Sequence, residues 1–345
     1  MEKEKTVRLL DVAHRAGVGV GTASRVLNGE PTVGEDKRRR VLAAMEELGY
    51  RRNAIAASLK GRKTRTLGVV IPDVANEFYS EIVRGVEDAA RSKQYNIILC
   101  STDGSTDREQ QTLSVLSEKQ VDGLILLSYH LGGPIEEKLK EMDLPVALIS
   151  TLTNEDAFIT VNISNERAAQ EATEYLIGLG HRRIAMLAGP SRDADGGENR
   201  LKGYQNALSR HGLLFEEALV ERSEAYTYES GYQKTQKLLQ KGRPFTAVFA
   251  ASDHMAIGCI KALGDNGLSV PEDISVMGFD NLSITAYAMP TITTISQPRY
   301  EMGRFAAHQL CRELNGEAVE QRHKIMDHKI VPRASVKPLE QIHSQ

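Results

Sequence analysis

The sequence is poor in the features that mark secreted, membrane-spanning or metal-binding proteins. Its 345 residues include three cysteines, Cys100, Cys259 and Cys311, scattered and without Cys-x-x-Cys spacing. That leaves no basis for a disulfide framework or a thiolate zinc site. No apolar run approaches the roughly 20 residues that span a bilayer. The opening MEKEKTVRLL lacks the apolar stretch of a signal peptide, so a cytoplasmic protein is expected. Signatures of catalysis are missing too. There is no Gly-x-Ser-x-Gly, and the nine histidines show no His-x-x-x-His spacing. Ser252, Asp253 and His254 are neighbours at a strand-to-helix corner and cannot converge as a triad. The run DADGG from Asp193 lacks the third ligand and distant glutamate of a calcium loop. No catalytic residue, metal or cofactor is expected.

Charge is unevenly placed. Residues 1–65 hold 15 Lys and Arg against 8 Asp and Glu, a net of +7. The other 280 hold 28 against 38, a net of −10, obtained by subtraction from the totals of 43 and 46. A basic head on an acidic body suits an encounter with a polyanion.

Within that head, Leu9, Val12, Ala13 and Ala16 form the apolar stripe of a two-turn helix, stopped by Gly17. A second short helix fits Val20 to Leu27, with Ala23, Val26 and Leu27 inward. A third fits Asp36 to Leu48, with Glu35 and Asp36 suited to its positive end and Val41, Leu42, Met45 and Leu48 as its stripe. The alternating glycines Gly17, Gly19 and Gly21 suggest a phosphate loop, but a dinucleotide loop follows a buried strand and a Walker loop ends in Gly-Lys-Ser/Thr. Here a helix precedes and Thr22-Ala23 follow. What remains is helix, tight turn, helix and a third helix, the helix-turn-helix arrangement.

The ordered segments LLDVAHRAGVGVGTASRVLNG and VLAAMEELGYRRNAIAASLKG resemble the DNA-binding headpiece of LacI/GalR-type bacterial transcription regulators. The resemblance implies a nucleoid-associated regulator whose Val20, Gly21 and Arg25 read base edges. An arginine can pair bidentately with guanine and a valine can meet a thymine methyl. Thr22, Ser24 and Asn28 would hold phosphates. The family's helix caps are replaced by Arg8 and Gly19, which predicts a looser head. NAIAASLKG, from Asn53 to Gly61, has a good cap and stop but is too short to be stable alone. It matches the family's hinge helix, formed on DNA, so Asn53, Ala56 and Leu59 are expected at the DNA, with Leu59 wedged into the minor groove.

The remainder alternates strand-like runs (TLGVVIP, NIILCST, VDGLILLS, LPVALIS, RRIAMLAGP, FTAVFAASD, ISVMGFD) with helical patterns, the mark of doubly wound parallel sheets. The pattern restarts near Ser164, which suggests two similar α/β subdomains, and the run TITTIS is expected to cross back to the first. The expected domains are therefore an all-α head over 1–52, a hinge over 53–65 and an α/β body over 66–345. By resemblance the body is a periplasmic binding protein-like effector and dimerisation module. Ligands of such sheets lie beyond the carboxyl ends of the strands, where Asp73, Phe78, Tyr79, Arg200, Ser252, Asp253 and Asp280 fall. By resemblance, Phe78, Tyr79, Arg200, Phe249 and Asp280 match the family's effector-contacting positions. Asp253 is expected to cap the helix near His254, and Phe249 is open to a core role.

Several segments, including EKQVDGLILLS, YTYESG and MGFDN, resemble a Gram-positive catabolite-control branch whose corepressor is the phosphorylated carrier protein HPr. Tyr300 and Glu301 suit that docking, but His308 stands where an arginine is expected to meet the phosphoserine. The expectation is a homodimer, or a tetramer of such pairs, on pseudo-palindromic operator DNA. Its effector would be a small sugar or sugar phosphate, with HPr as the alternative and a free sugar-binding protein or an α/β enzyme as less favoured readings.

Overall fold

The computed structural model describes residues 7–27, 30–50, 63–153 and 155–339. It divides into two compact units, residues 1–64 and 65–345.

In the first unit, α1 (Leu9–Ala16), α2 (Val20–Leu27) and α3 (Glu35–Glu47) match the expected helices. Gly17 adopts φ 64°, the left-handed conformation that closes α1, and Val18 N–H returns to the Ala13 carbonyl at 3.0 Å. Val12, Ala13, Ala16, Ala23, Val26, Val33, Val41 and Ala44 make a small shared core. Leu42, expected in that core, is exposed, and Ala44 takes the inward position. The cap missing at Arg8 is partly replaced: the Asp11 carboxylate accepts from the Arg8 N–H at 2.8 Å. Arg15 reaches Glu47 and so ties α1 to α3. Arg38 donates to the Glu30 carbonyl at 2.6 Å, closing the turn between α2 and α3.

The second unit contains two parallel sheets. Six strands form the first: β1 (Thr66–Ile71), β2 (Asn96–Ser101), β3 (Gly123–Leu126), β4 (Val146–Ile149), β5 (Ile159–Ile163) and β11 (His323–Met326), in the order β11-β5-β4-β3-β1-β2. The second has β6 (Ile184–Ala188), β7 (Val220–Arg222), β8 (Ala247–Ala250) and β9 (Ser275–Met277), in the order β7-β6-β8-β9. Strands β1, β3, β4, β5, β6, β8 and β9 are buried almost throughout, as fits a sheet covered on both faces. Helices α4 (Glu77–Ser92), α5 (Thr106–Glu118), α6 (Pro134–Glu141) and α11 (Arg299–Leu314) accompany the first sheet. Helices α7 (Asn165–Gly178), α8 (Arg200–Arg210), α9 (Tyr228–Gln240) and α10 (Asp253–Asp265) accompany the second.

The chain passes between the halves three times: after β5, after β10 (Thr294–Ser296), and after β11. In the TITTIS run, Thr293 makes a single parallel bridge to Met277 of β9, but strand β10 itself belongs to neither large sheet. β10 pairs antiparallel with β12 (Lys329–Val331), and Asp280 bridges to Ser296. The chain then enters the first half through α11, as expected. Helices α4 and α11 touch backbone to backbone, because a Cβ on Gly85 would lie 2.0 Å from the Tyr300 carbonyl and one on Gly303 2.0 Å from that of Ile82. Only glycine permits that approach. It seats Arg299, at the start of α11, beside both halves.

Candidate functional site

On the first unit, Val20, Gly21 and Arg25 lie exposed on α2, while Ala23 and Val26 of the same helix are buried. Thr22 and Ser24 are partly buried beside them. Core packing of one face of α2 therefore leaves the positions expected to read bases facing solvent. Asn28, Asn53, Ala56 and Leu59 lie outside the described residues.

On the second unit, the carboxyl ends of the strands open onto a cleft containing about 490 Å³ of atom-free space, part of it continuous with solvent. Pro72, Asn76, Phe78 and Tyr79 follow β1. Leu127, Ser128 and Tyr129 follow β3, Ser150 follows β4, and Asn165 follows β5. Asp193, Asp195, Gly196 and Arg200 follow β6, Tyr226 follows β7, and Asp280 follows β9. Both sheets thus present their loops to one space, the position where α/β sheets bind ligands.

Arg200 is held rigidly. Its guanidinium lies 3.7 Å from the centroid of the Phe279 ring. Nε donates to Asn165 Oδ1 at 2.8 Å and Nη1 to the Ala251 carbonyl at 2.5 Å, with Asp280 Oδ1 3.7 Å from Nη2. Asp280 sits at φ 117°, a conformation that side-chain-bearing residues rarely adopt. Its N–H bonds the Ile295 carbonyl at 2.8 Å and its carboxylate accepts from Gln297 at 2.7 Å. Arg299 donates to the Asp280 carbonyl, to that of Asn281 at 3.2 Å, and pairs with Glu81 of α4. The strained loop is thereby fastened to the opposite half. Burial pushes the Asp280 carboxyl up to about 6, against the opposing pull of Arg200, Arg299 and Gln297.

The wall after β6 is a six-residue π-helical turn, Ala194–Asn199. Asp193 caps it by accepting from the N–H groups of Asp195 at 3.1 Å and Gly196 at 2.8 Å, and its other oxygen accepts from the Tyr226 hydroxyl at 2.6 Å. Tyr129 packs edge-on to Tyr226, and Phe78 edge-on to Tyr79. Asn76 caps α4 by accepting from Phe78 N–H at 3.0 Å. Burial raises the proton affinity of Asp193, Asp195, Tyr79 and Tyr226.

Of the expected effector contacts, Phe78, Tyr79, Arg200 and Asp280 line the cleft. Three others do not. Asp73 forms a turn, its carboxylate accepting from Ala75 N–H at 2.8 Å. Phe249 is fully buried in the centre of β8 and packs against Phe279. Ser252 spends its hydroxyl as the cap of α10, accepting from Met255 N–H at 3.3 Å. Asp253, expected as that cap, instead accepts from Thr294 at 2.6 Å and Leu282 N–H at 2.7 Å, bracing the loop that carries Asp280. His254 packs at a tilt against Tyr228, ring centroids 4.5 Å apart, so three consecutive side chains go to three different partners. Asn165, Asp193, Asp195 and Tyr226 were not legible as site residues. The DADGG run, read as an incomplete calcium loop, forms the cleft wall instead.

A family model described as bacterial regulatory proteins, lacI family, matches residues 8–53, and one described as a periplasmic binding protein-like domain matches residues 173–336. Over 331 residues the chain is 38% identical to catabolite control protein A of Priestia megaterium, covering 96% of this chain and 99% of the relative. The chain belongs to the LacI family. It is a bacterial transcriptional regulator with a DNA-binding helix-turn-helix head and an effector-binding body. The repressor CytR of Escherichia coli is 35% identical over 340 residues, with 98% of both chains covered. Among solved structures of the family, the lac repressor dimer bound to operator and the anti-inducer ONPF superposes with a TM-score of 0.84 at 29% identity, covering 96% of this chain and 100% of that one. The regulator CelR in complex with cellobiose gives 0.74 at 35% identity, covering 95% and 99%. These LacI-family relatives are regulators, not enzymes. Among the described residues no helix is long and apolar enough to cross a membrane.

Proposed function

We propose that this LacI-family regulator is a sequence-specific repressor of carbohydrate-metabolism genes, controlled by a small sugar or sugar phosphate bound in the body's cleft. The observation that carries this reading is the pairing of Arg200 and Asp280 in a cleft flanked by aromatic rings. Polar groups of this kind exchange hydrogen bonds with vicinal hydroxyls, and an aromatic ring covers the apolar face of a sugar. The cellobiose complex of CelR and a ribose-bound family member support it.

Two chains pair through their bodies and place two heads on a pseudo-palindromic operator. Ile98 and Leu99 on the edge strand β2, and Tyr287 and Met289 beyond β9, offer exposed apolar surface for that pairing. Arg25 and Val20 read bases, Gly21 brings the backbone close, and Thr22, Ser24 and Asn28 hold phosphates. Asn53, Ala56 and Leu59 form the hinge contacts. Effector in the cleft shifts the two halves, and the shift alters hinge pairing with a coupling of ~1–3 kcal/mol, reciprocal between DNA and effector.

The alternative corepressor is phosphorylated HPr, implied by the resemblance of EKQVDGLILLS, YTYESG and MGFDN to the catabolite-control branch. Around α11, however, Tyr300 donates to Asp88 at 3.2 Å, Arg304 pairs with Glu301 and Arg84 with Asp88. Cations already countered by carboxylates are poorly suited to a phosphoserine, and His308 adds no guanidinium.

The test is fluorescence anisotropy on an operator selected from random DNA by the protein itself, titrated with sugars, sugar phosphates and phospho-HPr. A sugar should shift operator affinity by about five- to 150-fold. Asp280→Ala should keep the affinity and lose the shift. If no sugar or sugar phosphate moves operator affinity, the reading fails.

A further inference from the structure

We infer that the cleft takes an uncharged, polyhydroxylated ligand and excludes its phosphorylated or carboxylated counterparts, with Asp195 Oδ2 accepting from a ligand hydroxyl. The inference rests on the cleft being the effector site and narrows the class of effector.

The cleft lining carries three carboxylates, Asp193, Asp195 and Asp280, against one guanidinium, Arg200. That guanidinium is largely committed. Nε is given to Asn165 and Nη1 to a backbone carbonyl, one face lies on Phe279, and Nη2 looks toward Asp280. A phosphate is gripped by a free guanidinium fork or by bare N–H groups at a helix start. With Nε taken, the side-on fork of Arg200 is closed. The N–H groups at the start of the π-helical turn already point at a carboxylate, that of Asp193. The start of α10 is capped by Ser252 and that of α7 by Ser164. An incoming anion would therefore meet three carboxylates and a committed guanidinium, with the Tyr226 hydroxyl already donated to Asp193. Arg192, outside the lining, is turned over the Tyr129 ring and donates to the Glu224 carbonyl at 3.3 Å.

Acceptors, by contrast, are in surplus. Asp193 spends both oxygens inside the protein, on Tyr226 and on two backbone N–H groups. Asp195 does not. Its Oδ1 accepts from Asn199 at 3.3 Å, but its Oδ2 is buried with no hydrogen-bond partner among the described residues, in a side chain only 4% exposed. The Asn165 side chain lies close enough to act on this carboxyl as a donor and lower its proton affinity, but not in a geometry that makes a hydrogen bond to Oδ2. A buried carboxylate oxygen without a donor is costly, and a hydroxyl entering from the cleft supplies the donor. Burial raises the proton affinity of Asp193 and Asp195. A protonated carboxyl loses its charge and gains a donor, so the bias against anions grows as pH rises and these groups ionise.

The experiment is calorimetric titration of the full chain with a panel of neutral pentoses, hexoses, β- and α-linked disaccharides and nucleosides, alongside hexose 6-phosphates, pentose 5-phosphates and aldonates. At least one neutral compound should bind, ten-fold or more tightly than its phosphorylated or acidic form. Asp195→Asn, which puts an amide in place of the carboxylate, should weaken the neutral ligand about ten-fold and narrow its advantage over the anion, with the melting temperature recorded to show an intact fold. An anionic member that binds as tightly as its neutral parent overturns the inference while leaving the cleft as a sugar site. Unchanged neutral-ligand affinity in Asp195→Asn overturns the role of Oδ2. Failure of every compound in the panel removes the cleft as an effector site, and this inference with it.

Discussion

Replacing Glu109 by glutamine tests how burial sets the charge of the layer behind the cleft. Glu109 lies on α5, 3% exposed, with both carboxyl oxygens against the Ser128 hydroxyl at 2.9 and 3.0 Å. Ser128 Oγ also lies 3.3 Å from the His130 carbonyl. One hydroxyl hydrogen cannot serve Glu109 and that carbonyl together, whereas a protonated Glu109 can donate to Ser128 and free it to donate onward. Burial raises this carboxyl from 4.5 to about 7, with Ser128 and Arg192 pulling the other way. The sign follows from linkage. A group whose folded value is raised contributes stability that is fully present below pH 4.5 and is lost as pH climbs through about 7. At about 1.4 kcal/mol per tenfold change, the loss amounts to about 3 kcal/mol. Glutamine keeps the shape and a donor but cannot ionise. Urea unfolding of Glu109→Gln and wild type, followed by circular dichroism from pH 4.5 to 8, should give a difference that grows with pH. The variant should be favoured by up to about 3 kcal/mol at pH 8. Subtracting the two proteins cancels other titrating groups. A variant less stable than wild type at pH 8, or a difference independent of pH, would refute the reasoning.

Gly303→Ala should force α4 and α11 apart, since its Cβ would fall 2.0 Å from the Ile82 carbonyl. The expected cost is about 1–3 kcal/mol, read as a lower melting temperature; an unchanged melting temperature would deny the close approach. On the head, Arg25→Ala should cost about 1–3 kcal/mol on the preferred operator and relax the preference at one base pair. Thr22→Ala should instead weaken all sequences alike. Binding to a panel of single-base operator variants separates the two, and a uniform loss for Arg25→Ala would remove it from base reading.

Much of the architecture was legible because it rests on local rules. The stripe of Val12, Ala13 and Ala16, the stop at Gly17, and the buried runs of β1, β3, β4, β6 and β8 each follow from the spacing of neighbouring residues. The exposed face of α2 was legible for the same reason, since Ala23 and Val26 can only pack one way. Strand β11 was not singled out. It alternates between exposed and half-buried residues, and its place beside β5 depends on a return of the chain from the far half.

Site residues divide along the same line. Phe78, Tyr79, Arg200 and Asp280 sit at strand ends or helix starts, where position along the chain already points toward the cleft. Ser252 and Phe249 occupy similar positions, yet one hydroxyl is taken by a helix cap and the other ring by the core. Asp193 and Asp195 have no motif of their own. They become a wall only because Tyr226, from the loop after β7, completes the capping carboxylate, and because the π-helical turn buries Asp195 Oδ2 without a donor. By itself the sequence determined the family, the helical head, the alternating α/β body and the outward face of α2, all of which depend on residues a few places apart. Only the tertiary structure decided which polar atoms in the cleft are spent and which remain to meet a ligand, because a hydrogen bond is allotted by distance in space and not by separation along the chain.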